Sequence, residues 1–323
     1  VLGDGGYLLE LEKRGWVQAG PFTPEVSLLH PEAVAELHRE FLRAGAEVLT
    51  TLTFYASDDK LATVGMQGKV EEINRAAVRI ANAAAEGSDA LVGGNISLTW
   101  MYDPAEPKSA DHVRELFDRQ IGWQVDEGVD LIIGETFGFL GEALLAVERI
   151  KAAGKVAMVT MSFEQDPHSY EGHSPAECCK RLADAGAEIV GVNCLRNPAA
   201  TLPLMAEIRQ AVSGFIACQP VAYRTPEYSH DFTAQPEFPH GLEALQLSRA
   251  EMADYAVRAR DLGIDFIGSC CGSVASHVRA MARALGKLAP EERAWRSTSG
   301  KAMSAYEYYD HDAQDANKAE RGH

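Results

Sequence analysis

Six times along the chain a glycine closes an amphipathic helix pattern and is followed, two or three residues later, by a short apolar run rich in strand formers. Gly45 precedes Glu47-Val48-Leu49, Gly87 precedes Ala90-Leu91-Val92, and Gly128 precedes Leu131-Ile132-Ile133. Gly154 leads into Val156-Ala157-Met158-Val159, Gly186 into Ile189-Val190, and Gly263 into Phe266-Ile267. A glycine ends a helix because it accepts the left-handed backbone of the C-terminal cap, and the apolar run behind it reads as a buried strand. With Val1-Leu2 and Phe215-Ile216-Ala217-Cys218 there are eight candidate strands. Their spacing, roughly 25 to 50 residues, leaves room for a crossover helix each time. The helices fall near 31–44, 69–86, 110–127, 141–153, 174–185, 198–211, 249–262 and 274–285, each with apolar residues three and four apart. Eight strands alternating with eight helices predict an α/β fold, a (β/α)8 barrel, with function at the C-terminal ends of the strands. The rival open, doubly wound sheet would carry a phosphate-binding glycine fingerprint in its first turn, and Gly3-Asp4-Gly5-Gly6 lacks that spacing.

At 323 residues and 46% hydrophobic, the chain suffices for one such domain, expected over residues 1–288. After Pro290 the pattern fades, and residues 289–323 are expected to form an arm or partly ordered tail. The chain opens at Val1 already inside a strand pattern, so further residues are expected ahead of it. A net charge of −17 argues against nucleic acid or an anionic membrane as partner and leaves small molecules. No long apolar run and no signal-peptide pattern is present, which predicts a soluble, cytoplasmic protein. Six cysteines in a chain of this length suit reduced thiols rather than a disulfide framework.

Four of those cysteines stand at strand ends, three of them as candidate metal ligands. Cys194 closes Ile189-Val190-Gly191-Val192-Asn193-Cys194, and Cys270 and Cys271 follow Phe266-Ile267-Gly268-Ser269. Neighbours on a regular strand point apart, so the last pair can share a metal only if the strand breaks, which Gly272 permits. Three thiolates with a fourth position open outline a catalytic zinc site. Cys178 and Cys179 lie in a helix pattern and Cys218 stands alone, so all three are expected in the packing. Other strand ends offer Asp4, Thr51, Thr53, Tyr55, Asn95, Glu135 and Asn193. Zinc carrying three thiolates is a poor activator of water but can accept a substrate thiol and hold it as a nucleophilic thiolate. The natural electrophile is a methyl on cationic nitrogen or sulfur, and Phe22, Tyr55, Trp100 and Tyr102 are placed to cage such a cation. The rivals are a zinc-thiolate binding protein without turnover and a zinc hydrolase, the latter disfavoured by the missing histidine cluster.

The runs Gly3-Asp4-Gly5-Gly6, Leu11-Glu12-Lys13-Arg14-Gly15, Ala19-Gly20-Pro21-Phe22-Thr23-Pro24-Glu25, Arg39 to Gly45, Thr53-Phe54-Tyr55-Ala56-Ser57, Gly191-Val192-Asn193-Cys194, Pro236-Glu237-Phe238-Pro239 and Cys270-Cys271-Gly272 extend the match. Through them the chain resembles the homocysteine methyltransferases, and the first half resembles their betaine-using branch. The resemblance implies a zinc-bearing barrel that moves a methyl from a betaine to homocysteine, with a sulfonium or bulkier betaine as the alternative donor. It implies Cys194, Cys270 and Cys271 as zinc ligands, and Asp4, Thr51, Glu135 and Asn193 as homocysteine-site residues, with Glu135 for the amino group. Tyr55 matches an aromatic of the donor cage. No catalytic side chain is implied beyond the zinc-bound substrate thiolate. Phe22 replaces a family Trp, Thr136 replaces a Tyr able to occupy the open metal position, and Ser269 replaces a Gly. The arm that the animal enzymes use in oligomer contacts is shortened, with a homo-oligomer still expected.

Overall fold

The computed structural model describes residues 1–18 and 23–288. The chain divides into a compact unit, Val1–Leu285, and a second, Gly286–His323, nearly all of it outside the described residues. The expected arm at 289–323 therefore lies outside them too.

Seven strands form one parallel sheet in chain order: β1 Val48–Thr50, β2 Leu91–Ser97, β3 Leu131–Phe137, β4 Val156–Met161, β5 Ile189–Asn193, β6 Phe215–Gln219 and β7 Phe266–Ile267. The helices are α1 Leu8–Lys13, α2 Val26–Leu29, α3 Pro31–Ala44, α4 Asp58–Ala62, α5 Val70–Ala85, α6 Pro107–Asp126, α7 Leu140–Ala152, α8 Pro175–Asp184, α9 Pro198–Ala211, α10 Arg249–Asp261 and α11 Ala275–Ala284. All six glycines of the repeat have positive φ, from 70° to 103°. That is the helix-ending conformation their spacing predicts. In α3, Pro31 sits in the first turn while Val34, Leu37, Phe41 and Ala44 bury one face at three- and four-residue spacing. Burying side chains such as Leu37 and Phe41 is worth about 1.5–3 kcal/mol each. Ser174 caps α8, and Ser248 with Glu251 forms a full capping box on α10.

The expected first strand, Val1-Leu2, is reduced to a single parallel bridge from Leu2 to Ile267. Its partner β7 is only two residues long before the chain turns at Gly268, so no longer ladder can form. The segment nonetheless bonds both ways. Gly3 N donates to Ile267 O at 2.8 Å and Ile267 N to Val1 O at 2.9 Å, while Glu47 N, just ahead of β1, donates to Leu2 O at 2.8 Å.

At the N-terminal ends a second regularity appears. The acidic residue before every other strand accepts a hydrogen bond from the backbone N–H of the neighbouring segment. Glu47 takes Leu2 N (2.7 Å), Asp130 takes Val92 N (2.8 Å), Glu188 takes Ala157 N (2.7 Å) and Asp265 takes Ile216 N (3.0 Å). These carboxylates satisfy donors that the end of the ladder would leave unpaired. Inside the sheet, Val48, Leu131, Ile133, Met158, Ala217 and Phe266 pack together as one core cluster. Among the described residues no helix is long and apolar enough to cross a membrane.

Candidate active site

The C-terminal ends of the strands carry the backbone strain. Among the described residues, the non-glycine positions with positive φ are Tyr55, Trp100, Thr136, Cys194 and Leu195, all at or just beyond the ends of β1, β2, β3 and β5. Each costs on the order of 1–3 kcal/mol, and such strain concentrates where side chains must be aimed. At Cys194 (φ 58°) it turns the sulfur toward the loop after β7. That loop leaves the strand at Ile267 and reverses at Gly272 (φ 79°), which lets Cys270 and Cys271 face the same way. Cys194 Sγ lies 3.8 Å from Cys271 Sγ, Cys270 Sγ lies 3.9 Å from Cys271 Sγ, and all three fall within 4.8 Å of one another. Three ligands of a tetrahedral ion with metal–sulfur bonds of about 2.3 Å stand about 3.8 Å apart, so this group can hold a metal ion. Among the thiols themselves, S–H donation from Cys270 and Cys271 holds the Cys194 thiol well below the usual range, while the hydrogen bond to Cys194, together with burial, raises the other two. Cys178 and Cys179 are buried in α8, facing the backbone carbonyls of His173 and Gly191, and Cys218 is buried on β6. All three are packing cysteines, as expected.

One cavity is lined by Cys194, Cys270 and Cys271 together with Asp4, Thr51 and Glu135. Gly6 allows this closeness, because a Cβ there would lie 2.8 Å from Cys270 O. Glu135, near the end of β3, accepts from Asn95 Nδ2 at 2.5 Å and from Asn193 Nδ2 at 3.0 Å. Burial, then the charge at Cys194, pushes its carboxyl up to about 8. Asn193 is fully buried behind Glu135, where its Oδ1 accepts from Thr136 N (2.9 Å) and Thr160 Oγ1 (2.8 Å). It therefore orients Glu135 instead of forming cavity wall. Asp4 accepts from Thr50 N and from Tyr7 OH, both at 2.6 Å, and burial raises its carboxyl to about 6. Tyr7 OH also meets His38 Nδ1 at 2.8 Å. Since Tyr7 gives its proton to Asp4, His38 is the donor there, and burial pushes its pKa down to about 3. Thr51 bonds Thr53 at 3.1 Å.

The four aromatic candidates separate. Phe22 lies outside the described residues. Tyr55 and Trp100 pack with ring centroids 5.2 Å apart, whereas Tyr102 packs edge-on against Phe139 at 5.5 Å, which in turn meets Tyr170 at 4.9 Å. Over Tyr55 and Trp100 sits an unpredicted group, the ammonium of Lys60 on α4.

Residues 1–285 match the family described as homocysteine S-methyltransferase. The chain belongs to that family. It is 45% identical over 303 residues to betaine–homocysteine S-methyltransferase 1 of Bos taurus, covering 90% of this chain and 72% of that protein. It is also 41% identical over 299 residues to the S-methylmethionine–homocysteine S-methyltransferase of Pongo abelii, covering 90% and 79%. The metallated form of the homocysteine methyltransferase MmuM from Escherichia coli superposes with a TM-score of 0.70 at 20% identity, over 88% of this chain and 95% of that one. That likeness concerns the fold.

Within this homocysteine S-methyltransferase chain, the residues that sequence reading missed are supports. Tyr7 and His38 hold Asp4, and Gln219 and Ser269 line the cavity beside the cysteines. Gln124, fully buried on α6, donates to Asn95 O at 2.8 Å and so steadies the residue that holds Glu135. A polar residue on an apolar helix face is the one sequence signal that could have pointed to Gln124 and His38.

Proposed function

We propose that this chain transfers a methyl group from a betaine, glycine betaine in the first instance, to the sulfur of L-homocysteine, giving methionine and the demethylated donor. The observation that carries the reading is the convergence of three cysteine sulfurs and two buried carboxylates, Asp4 and Glu135, on one cavity. Cys194, Cys270 and Cys271 would hold zinc, which when bound supplies a site where the substrate sulfur is kept as a nucleophilic thiolate near neutral pH. Glu135, held by Asn95 and Asn193, is assigned the amino group of homocysteine; Asp4 and Thr51 line the same site. The carboxyl raised to about 8 by burial becomes a stable carboxylate once a substrate ammonium sits against it. Tyr55 and Trp100 are assigned the donor side, with Phe22 and Tyr102 as further candidates. No general base at the methyl carbon is required, because the donor leaves as a neutral amine or sulfide. The scaffold is read as a (β/α)8 barrel whose eighth strand is Val1–Gly3, supported by that segment's bonds to both edges of the sheet. The reading carries with it a cytoplasmic homo-oligomer, and the net charge of −17 supports small-molecule rather than nucleic-acid or membrane partners.

A sulfonium donor is the second reading, favoured by the 41% identity to an enzyme named for S-methylmethionine and by Phe22 in place of the family's Trp. The deciding experiment incubates zinc-loaded protein and homocysteine separately with glycine betaine, dimethylsulfoniopropionate and S-methylmethionine, and measures methionine by mass spectrometry. Glycine betaine is expected to be the preferred donor. A sulfonium preference would move the assignment to the second reading, and no methionine from any donor would favour a zinc-thiolate binding protein.

A further inference from the structure

The aromatic pair expected to receive a cation from the donor already carries one from the protein. Lys60 projects from α4, the short helix after β1, and is fully buried. Its Nζ lies 3.8 Å from the ring centroid of Tyr55, 4.5 Å from that of Trp100 and 5.9 Å from that of Phe54, and donates to Leu98 O. Tyr55 belongs to the loop after β1, while Leu98 and Trp100 belong to the loop after β2. One ammonium therefore ties together the two loops that carry the aromatic pair, each of whose rings springs from a left-handed backbone position. Burial works against the charge on Lys60. The net effect is a Lys60 pKa well below its ordinary value, opposed by the carboxylate of Glu142 and by the contacts with the ring faces and Leu98 O. Glu142 is itself fixed by Thr99 N at 2.7 Å and Thr99 Oγ1 at 2.6 Å.

Two cations cannot share one ring face, since their repulsion in a buried setting outweighs what the ring quadrupole returns to the second. We propose that Lys60 is a positioning residue for the methyl donor: it clamps Tyr55 and Trp100 from one side and leaves the donor's cationic head only the faces turned away from it. The proposal rests on the methyl-transfer reading above. Phe54, the chain neighbour of Tyr55, lines the cavity that holds the three cysteines, where a transferable methyl has to arrive.

The test uses full-length, zinc-loaded protein carrying Lys60→Met or Lys60→Arg. Steady-state kinetics are run with homocysteine against glycine betaine and against S-methylmethionine, and backbone hydrogen exchange is followed over residues 54–57 and 97–102. Lys60→Met is expected to raise the donor KM about tenfold, within the range of one cation–π contact. The homocysteine KM should stay within about twofold, exchange in both loops should quicken, and Lys60→Arg should recover most of the donor KM. An unchanged donor KM, or an equal rise in both KM values, would overturn the clamp. A lower donor KM would overturn it as well, because Lys60 would then be competing for the donor's face. If the wild-type protein forms no methionine with any donor, the methyl-transfer reading fails by itself; unaltered exchange of the two loops in Lys60→Met then overturns the clamp, and quickened exchange upholds it.

Discussion

At Glu135 two buried amides, Asn95 and Asn193, hold both carboxylate oxygens, so the side chain reaches the cavity in one fixed orientation. A carboxylate desolvated this way lacks a counter-charge, and an amino-acid ammonium supplies it. Glu135→Gln should therefore raise the homocysteine KM by about 10- to 100-fold, the worth of one hydrogen bond to a charged group, and leave the donor KM unchanged. Steady-state kinetics with each substrate varied would show it, and an equal change in both KM values would argue against the assignment. The cysteines make a matching pair of tests. Cys271→Ser should lose bound zinc and lower methionine formation by more than about 100-fold, while Cys178→Ser keeps both, as read by metal analysis and activity on the same preparations. Equal losses would remove the metal assignment. Much of this chemistry was legible in sequence because Glu135, Cys194, Cys270 and Cys271 each end an apolar run, where few explanations other than function apply. Tyr7 and Lys60 were not legible, since nothing local marks them, and His38 showed only as a polar residue on an apolar helix face.

Between elements, the carboxylates at the N-terminal ends of the strands are an unpredicted piece of order. The pattern glycine, apolar residue, acid, strand recurs at Glu47, Asp130, Glu188 and Asp265, and each acid bonds a backbone N–H of the adjacent segment. Glu188 also pairs with Lys151 of α7, so it links a helix end to β4. Glu188→Ala should cost about 1 kcal/mol, visible in urea denaturation with activity retained, because the bond is partly exposed and the site lies at the opposite ends of the strands. No loss of stability would make these contacts incidental. The eight long helices were legible to within three residues, α3 and α9 in full, because a three-and-four stripe is a local signal, whereas the short α1, α2 and α4 were not expected. The aromatic residues show the limit of such reasoning. Tyr55, Trp100 and Tyr102 all follow strand ends, yet Tyr102 turns to Phe139 while the other two meet over Lys60. Ring direction depends on left-handed kinks at Tyr55 and Trp100 that sequence pattern does not mark.

For the molecule as a whole, concentrating acid at one end of the sheet sets a dependence of stability on pH. Burial raises Asp4 to about 6 and Glu135 to about 8, so over this range the folded chain binds more protons than the unfolded one. Their contribution is full below about pH 4 and is lost as pH rises through 6 and then 8. His38 has the opposite sign: held down to about 3, it contributes above about pH 6.5 and loses that contribution as pH falls toward 3. Metal-free protein is the place to see this, and comparison with Glu135→Gln separates Glu135 from His38 and the thiols that titrate alongside. The stability of the variant relative to wild type should grow between about pH 4.5 and pH 8, measured as urea midpoints in the presence of a chelator. A constant difference would mean that Glu135 is not desolvated. By itself the sequence determined the alternation of helix and strand, the direction of every strand and the gathering of reactive side chains at one set of strand ends, because periodicity and helix-ending glycines act over a few residues. Only the tertiary structure decided that Cys194 meets Cys271 across 77 positions, that Asn193 stands behind Glu135, and that Lys60 rests on the aromatic pair. Those contacts depend on the curl of the sheet and on loops bent through left-handed residues, which bring together side chains that no local pattern relates.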